Sequence, residues 1–267
     1  MEKKHIVAII PARGGSKSIP RKNIKFLSGI PLLAYSIAAA ERSKLVDRII
    51  VSTDDEVIAD LAKEWGAEVP FLRPKELAED SITDFPVMEH AVRWLEFNED
   101  YRADIVVQLR PTSPLRPPGL VDEAIHQLLQ NPSADSVRAV APSGENPFKM
   151  WEIEDGTLQP LLHTSFHEAY NMPRQALPAT FWQTGHVEAI RFNTIVRKQS
   201  LTGDVILPSI VPHEYAVDLD NLQQWAFAEY LLEQGILEVV KPLRRDWFGH
   251  KFGQQEGAFD FYGAKFH

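Results

Sequence analysis

The sequence predicts an α/β protein, with a mostly parallel sheet and helices on both faces. Strand-like and helix-like patterns alternate along the chain from residue 6 to residue 140, which is typical of βαβ units. A glycine-rich loop directly follows the first apolar run, at the position where open α/β sheets bind ligands. A chain of 267 residues is also long enough to bury a substantial core.

Each element follows from a local pattern. Residues 6–10 form an apolar run typical of a buried strand, and a proline opens the helix predicted over 31–42. The second strand, 47–51, precedes Thr53 and Asp54, either of which would cap a helix that runs to Trp65. The later elements are strands over 68–72, 105–109 and 136–140, helices over 83–97, 118–130 and 221–234, and regular segments over 181–192 and 205–207.

The regular alternation stops between about residues 142 and 179. Short pieces over 150–153 and 157–161 flank Asp155-Gly156, a dipeptide typical of a hairpin turn. We therefore predict one domain over residues 1–235, with a small excursion at 142–179, and an aromatic C-terminal extension over 236–267. The sequence leaves open whether the aromatic side chains of this extension pack on the domain's own flank or on another subunit.

Composition narrows the class of protein. The net charge is −9, which argues against a nucleic-acid binder with a basic face. The chain has no cysteine, so disulfides, thiolate metal sites and cysteine nucleophiles are excluded, and a reducing cytosol is the default compartment. No segment approaches the roughly 20 apolar residues of a membrane helix. We expect a cytoplasmic protein that binds neither nucleic acid nor a membrane.

A loop rich in glycine and cations, residues 12–25, follows the first strand. Gly14 and Gly15 allow a sharp turn and a close approach of backbone N–H groups to an anion. The cations are Arg13, Lys17, Arg21, Lys22 and Lys25. So many positive charges in an acidic chain indicate a triphosphate or pyrophosphate rather than a solvated basic turn.

Asp218 and Asp220 are two residues apart near the end of the domain. On an extended segment this spacing places both carboxylates on one face, where they could share a Mg²⁺ ion. Asp220 also precedes the last predicted helix and could be its N-cap.

Six stretches occur in the order seen in a known family: residues 9–23 (IIPARGGSKSIPRKN), 49–59, 73–80, 109–116, 146–151 and 217–220. Together they resemble the acylneuraminate cytidylyltransferase family, the CMP-sialic acid synthetases and their relatives. The resemblance implies a Rossmann-like nucleotidyltransferase fold. It also implies transfer of CMP from CTP to the anomeric hydroxyl of a 2-keto-3-deoxy sugar acid, such as a nonulosonic acid, with release of pyrophosphate. Mg²⁺ as cofactor and a homodimer formed through the excursion are further implications.

The resemblance assigns residues to the nucleotide. By this reading the nucleotide-binding set is Ala12, Arg13, Gly14, Ser16, Lys17, Lys22, Asn23, Arg73 and Asp80, and Lys17 and Arg13 are catalytic. With this set present, a metal pair is the better interpretation of Asp218 and Asp220. Arg21 and Lys25 are equally consistent with a surface position, and a surface position is the competing reading of Arg73.

Four residues are candidates for the sugar acid: Arg110, Lys149, Arg174 and Gln183. Many relatives have glutamine at the position of Arg110, and an arginine there could fork onto the carboxylate that every 2-ulosonic acid carries. Salt bridges to nearby acids are the alternative for Lys149 and Arg174. The prolines of segment 109–118 should display Arg110, Thr112, Ser113 and Arg116 at the carboxyl edge of the sheet.

Two departures from the family pattern bear on the substrate. Ser18 replaces a glycine, and Thr184 replaces an asparagine in a stretch that has also lost an aromatic residue. Three hypotheses follow: a CTP-dependent transferase for a sialic-acid-like ulosonic acid, a nucleotidyltransferase for another acceptor, and a nucleotide-binding protein without catalysis. The presence of Lys17, Asp218 and Asp220 argues against the third.

Overall fold

The computed structural model describes residues 3–243. In chain order, the elements are β1 (Ile6–Pro11), β2 (Phe26–Leu27), β3 (Ile30–Pro31), α1 (Leu32–Glu41), β4 (Arg48–Ser52), α2 (Glu56–Glu64), α3 (Asp84–Glu99), β5 (Ile105–Gln108), α4 (Leu120–Gln130), β6 (Ser136–Pro142), β7 (Trp151–Glu154), β8 (Thr157–Pro160), β9 (Phe181–Arg191), α5 (Phe192–Val196), β10 (Ile206–Ile210) and α6 (Leu222–Gln234). Within this part of the chain, no helix is long and apolar enough to cross a membrane.

A six-stranded sheet with the order β10-β6-β9-β5-β1-β4 forms the centre of the domain. β1 pairs in parallel with β4 and β5, and β10 pairs in parallel with β6. β9 is antiparallel to both of its neighbours, β5 and β6. Five of the six strands therefore share one direction, and the prediction of a mostly parallel sheet is confirmed. Their carboxyl ends meet at one edge, where ligands bind in open α/β sheets.

Alternate residues of β1 enter two different cores. Ile6, Ala8 and Ile10 pack with α1, α2 and α4, whereas Val7 and Ile9 pack with α3 and α5 on the other face. A third cluster joins α6 to α1, to Ile19 in the glycine-rich loop and to Leu27 in β2, directly after the loop. This cluster fixes the loop at the carboxyl edge of the sheet.

Two local predictions are wrong. Asp55, rather than Thr53 or Asp54, caps α2, because its carboxylate accepts the Ile58 N–H at 3.0 Å. No strand forms over residues 68–72, where a single bridge pairs Glu68 with Ile50. Pro70 lacks an N–H, so the ladder cannot continue beyond that bridge.

The excursion contains the hairpin β7–β8, with Asp155 and Gly156 both at positive φ in its turn. The first residues of the C-terminal extension pack on the domain's own flank. Leu237 and Val239 contact the α6 cluster, and the Val240 N–H donates to the Arg116 carbonyl at 2.9 Å. The aromatic positions from 247 onward lie outside the described residues.

Candidate active site

The glycine-rich loop leaves the carboxyl end of β1 and turns back beside the start of α2. The Gly14 N–H donates to Oδ1 of Asp54 at 2.9 Å. A Cβ atom on Gly14 would lie 2.9 Å from the Asp55 Cβ, so only glycine fits without a shift. At Gly15 a Cβ would meet nothing within 4 Å. Packing of the loop therefore requires glycine at position 14, whereas a side chain at position 15 would meet no neighbouring atom.

Arg13 and Lys17 converge on one carboxylate, that of Asp80. Nη1 of Arg13 lies 2.7 Å from Oδ1 of Asp80, and the Lys17 ammonium pairs with Oδ2. The Lys17 side chain is 85% exposed. The donation from Lys17, supported by Arg13, lowers the pKa of Asp80. The loop thus holds two cations close enough to bind a single anionic group, which is the arrangement that a phosphate oxygen requires.

Three other loop residues, Ala12, Lys22 and Asn23, face inward. Lys22 is buried, donates to the Leu219 carbonyl at 2.7 Å and lies 3.7 Å from Oδ1 of Asp220. Asn23 is also buried and donates to the Arg13 carbonyl at 2.9 Å. The Ala12 N–H extends the pairing of β1 with β4 by donating to the Ser52 carbonyl. These contacts connect the loop to the segment that carries the predicted metal pair.

Ser16, a member of the predicted nucleotide set, and the two loop cations outside that set, Arg21 and Lys25, have different surroundings. Ser16 is half-buried. Arg21 lies 3.5 Å from Asp55, and the Lys25 ammonium lies 5.5 Å from the centre of the Trp225 ring.

Arg73 lies beneath the loop and not at the surface. It is 4% exposed and donates to the side chain and carbonyl of Ser52 and to the Leu77 carbonyl. Burial lowers the pKa of Arg73 to about 10, against the influence of Asp54 and Asp84. Its guanidinium joins the end of β4 to the segment that presents Asp80.

Asp218 and Asp220 alternate with buried residues, as the spacing predicted. Val217 and Leu219 are buried, Asp218 is half-buried, and the Asp220 side chain is 68% exposed. Asn221 rather than Asp220 caps α6, because its side chain accepts the N–H groups of Gln223 and Gln224. The alternative reading of Asp220 as the helix cap is therefore wrong.

The Asp218 carboxylate has an oxygen that suits a cation. Within residues 3–243, Oδ1 of Asp218 is buried without a hydrogen-bond partner. Burial raises the pKa of Asp218, and Asp220 adds to this effect, while Thr112, Lys22 and Arg110 lower it. No group of three or more His, Cys, Asp or Glu side chains that could hold a metal occurs in the same range. A pair of carboxylates is nevertheless the donor set typical of Mg²⁺, which takes its other ligands from phosphates and water.

The segment after β5 is only partly displayed. Arg116 is 1% exposed and donates to the carbonyls of Arg110, Gly185 and His186. Ser113 is also buried and accepts the Gly185 N–H. The prediction that Arg116 and Ser113 are displayed at the edge of the sheet is therefore wrong. The guanidinium of Arg116 lies in the interior because it satisfies carbonyl groups at a bulge of β9. The bulge is visible in the pairing of β9 with β6, whose register shifts between Arg138 and Val140.

Arg110 and Gln183 lie in one polar network with three residues that the sequence did not single out. Arg110 pairs with Asp84 and Glu188, and Arg138 contacts both Glu188 and Gln183. Asp84 begins α3, Glu188 is in β9 and Arg138 is in β6. The alternation of side chains along β9 would have placed Glu188 on the same face of the sheet as Ile190. The sequence alone, however, does not show that β9 pairs with β5 and β6.

The structure does not bring Lys149 and Arg174 into this network. Both are exposed and bind carbonyl oxygens within the excursion: Lys149 those of Tyr170 and Met172, and Arg174 that of Ser143. Neither side chain forms a salt bridge with an acid among residues 3–243, so the alternative reading of Lys149 and Arg174 is wrong.

Comparison with known proteins identifies relatives of this chain. Residues 7–157 match the family described as cytidylyltransferase. The chain is 33% identical to a pseudaminic acid cytidylyltransferase of Campylobacter jejuni, over 84% of this chain and 95% of that protein. It is 32% identical to a CMP-N,N'-diacetyllegionaminic acid synthase of Legionella pneumophila, over 85% of this chain and 96% of that protein.

The fold is also found among solved structures. A CMP:2-keto-3-deoxy-manno-octonic acid synthetase superposes with a TM-score of 0.64 at 16% identity, covering 86% of this chain and 99% of that one. This similarity supports the Rossmann-like nucleotidyltransferase fold. Taken with the family match over residues 7–157, it shows that this chain is an enzyme that belongs to the cytidylyltransferase family, as the sequence resemblance implied.

Proposed function

We propose that the enzyme transfers CMP from CTP to the anomeric hydroxyl of a nonulosonic acid and releases pyrophosphate. The observation that carries this proposal is the convergence of Arg13 and Lys17 at the carboxyl end of β1, in a loop whose Lys22 lies 3.7 Å from Asp220. The names of two relatives, a pseudaminic and a diacetyllegionaminic acid enzyme, supply the acceptor class. The cysteine-free composition is consistent with action in the cytoplasm.

In this proposal the loop binds the triphosphate. Arg13 and Lys17 exchange Asp80 for phosphate oxygens and stabilise the charge that grows on the α-phosphate and the leaving pyrophosphate. The rest of the nucleotide site is formed by Ala12, Gly14, Ser16, Lys22, Asn23, Arg73 and Asp80. Before CTP binds, the Asp80 ion pairs keep the two cations together, because like charges at this distance would otherwise repel.

Asp218 and Asp220 would hold Mg²⁺. The buried, unpartnered oxygen of Asp218 and the electrostatic influence of Asp220 on that carboxylate support this assignment. When bound, the ion would neutralise phosphate charge and lower the pKa of the acceptor hydroxyl. Lys22, 3.7 Å from Asp220, keeps that carboxylate close to the loop.

Asp218→Asn and Asp220→Asn should each raise the Mg²⁺ concentration needed for half-maximal activity by about tenfold or more. Each change removes a charged ligand without removing the cap of α6, which Asn221 supplies. Titration of activity with Mg²⁺ measures the shift, and Asp60→Asn, at a carboxylate 79% exposed on α2, is the matched control. If both site variants titrate like the parent, the two carboxylates are structural.

In this proposal the acceptor lies over Arg110 and Gln183, where the carboxyl end of β5 and the amino end of the antiparallel β9 meet, with Lys149 and Arg174 as further candidates. Thr184 is 2% exposed, and its hydroxyl has no hydrogen-bond partner in residues 3–243. The position that carries an asparagine in sialic acid enzymes is thus turned inward here. This favours an acceptor whose substituents differ from those of N-acetylneuraminic acid.

A deaminated or a diamino-dideoxy nonulosonic acid should therefore give a higher kcat/KM than N-acetylneuraminic acid. Sites built for particular polar groups can discriminate by up to roughly 10⁴-fold, because a wrong acceptor leaves polar groups unpaired. Pyrophosphate release from CTP, measured for the three acids under equal conditions, gives the ratio. A clear preference for N-acetylneuraminic acid would refute the acceptor assignment and leave the enzyme class unchanged.

We also propose a homodimer formed through the excursion. This segment exposes large apolar side chains, among them Ile153 (76% exposed) and Leu158 (58%) on the β7–β8 hairpin. Contiguous exposed apolar surface of this kind marks interaction sites.

Light scattering at micromolar concentration should give twice the 30.2 kDa mass of one chain. Ile153→Asp combined with Leu158→Asp should yield a monomer, because charge at a desolvated interface is costly. Phe97→Asp is the matched control, since Phe97 is 77% exposed on α3 and outside the excursion. A parent that is monomeric and fully active would contradict the proposal.

A further inference from the structure

A chain of ion pairs crosses the sheet beneath the proposed acceptor. Nη2 and Nε of Arg110 lie 2.6 and 2.8 Å from Oδ2 of Asp84, and its Nη1 lies 2.9 Å from Oε1 of Glu188. Nη2 of Arg138 donates to Oε2 of Glu188 at 2.7 Å. Each oxygen of Glu188 therefore binds one arginine, and the four side chains carry no net charge.

Strand register explains why these groups meet. Glu188 in β9 is paired with Gln108 in β5 on one side and with Arg138 in β6 on the other. Beyond Arg138, the bulge in β9 brings Gln183 opposite Val140. Nη1 of Arg138 donates to Oε1 of Gln183 at 2.9 Å, so the network ends on a residue that we assign to the acceptor site.

Glu188 is the buried centre of the network. Its side chain is 3% exposed, whereas those of Arg110 and Arg138 are 24% and 22% exposed. A carboxylate at that depth requires charged partners, and removal of one partner leaves an uncompensated buried charge. Burial alone would lower the pKa of Arg110, but Glu188 and Asp84 offset this effect and raise it.

The guanidinium of Arg110 is thus already engaged on both sides. A substrate carboxylate that forked onto the same N–H groups would have to displace Asp84 or Glu188, and displacement of Glu188 would leave that buried carboxylate with Arg138 and the Gln183 amide as partners. Gln108 stabilises the Asp84 end of the network, because its Nε2 donates to Oδ2 of Asp84 at 2.8 Å.

From this geometry, and given the proposed function, we propose that Glu188 and Arg138 are positioning residues of the acceptor site. Together with Asp84 they hold Arg110 and Gln183 in place. Arg110 then shapes the floor under the acceptor and does not clamp the acceptor's carboxylate.

A double-mutant cycle separates positioning from clamping. Arg110→Gln and Glu188→Gln should each lower kcat/KM for the acceptor by about 100-fold, and the pair together should recover about tenfold of the loss, because no buried charge is left unpaired. A direct clamp predicts no recovery in the double variant. The KM for CTP should stay unchanged throughout, which also reports that the variants fold. Arg197→Gln, at an exposed arginine, is the matched control.

The acceptor supplies a second readout that a merely structural role would not move. The parent should prefer a nonulosonic acid to its carboxamide, and the same preference should persist in Arg110→Gln. Collapse of that preference in Arg110→Gln would show that Arg110 binds the carboxylate and would overturn the proposal.

If Arg110→Gln does not fold, Arg138→Gln, at the more peripheral arginine, is the second variant. It should lower the kcat/KM for the acceptor and retain the preference for the acid; parent-like activity of Arg138→Gln would also overturn the proposal.

Failure of the proposed function gives a different result. In that case the parent releases no pyrophosphate with any acid. Thermal unfolding of the same proteins still tests the network then, because the double variant must be more stable than Arg110→Gln alone. A double variant that is no more stable than Arg110→Gln would overturn the proposed network without any activity measurement.

Discussion

Lys17→Ala is expected to lower kcat by about 10²- to 10³-fold, with the fold intact. Lys17 lies at an exposed position of the loop and pairs with Asp80, so shortening its side chain removes no packing from the core. In the proposed reaction its charge is needed when negative charge grows on the phosphates, which is why the loss should appear in kcat more than in stability. Steady-state kinetics with saturating CTP measure the effect, and circular dichroism checks the fold.

Lys3→Ala is the matched control for this change. Lys3 is 81% exposed and pairs with Asp47 at 2.6 Å, and it precedes the amino end of β1. It therefore repeats the environment of Lys17 at the opposite edge of the sheet. Near-parental turnover of Lys17→Ala, or an equal loss in Lys3→Ala, would remove Lys17 from the catalytic set.

Gly14→Ala should raise the KM for CTP by about tenfold or more, since overpacking of a tight site typically costs about 1–3 kcal/mol. The added Cβ would lie 2.8 Å from Oδ2 of Asp55 and 2.9 Å from its Cβ. Either the loop moves, which breaks the bond from the Gly14 N–H to Asp54, or Asp55 moves, which weakens the cap of α2.

Gly15→Ala separates the two glycines. No atom lies within 4 Å of its added Cβ, so the loop should keep its position and the KM for CTP should change much less. Initial rates at varied CTP concentration measure both variants. Equal increases in KM at the two positions would mean that close packing against Asp55 is not what the loop requires.

Much of the fold could be predicted because local patterns and tertiary demands agree. The apolar run of β1 and the hairpin at Asp155-Gly156 formed where the sequence indicated. The prediction of a strand over residues 68–72 was wrong, because its apolar residues resemble a strand but Pro70 has no N–H to donate to the ladder. Asp55 was missed as the cap because three consecutive polar residues compete for that position, and only the structure shows that Asp54 is engaged by Gly14.

Most residues that we propose for the nucleotide could be grouped from the sequence alone, whereas the network around the proposed acceptor could not. Arg13, Lys17 and Lys22 are in one loop, so their proximity follows from sequence spacing. Glu188, Arg138 and Asp84 come from three separate elements and meet through strand register and a bulge, which a single sequence does not specify. Arg116 illustrates the same limit: its type suggested a displayed cation, yet it satisfies buried carbonyls.

Mass spectrometry of the reaction product tests the central claim most directly. The purified enzyme is incubated with CTP, Mg²⁺ and one nonulosonic acid at a time, and pyrophosphate is measured in parallel. We expect a CMP-linked nonulosonic acid, formed in equal amount to pyrophosphate and only when both substrates are present. Pyrophosphate or CMP without a linked product, or no turnover of CTP with any of the acids, would contradict the account.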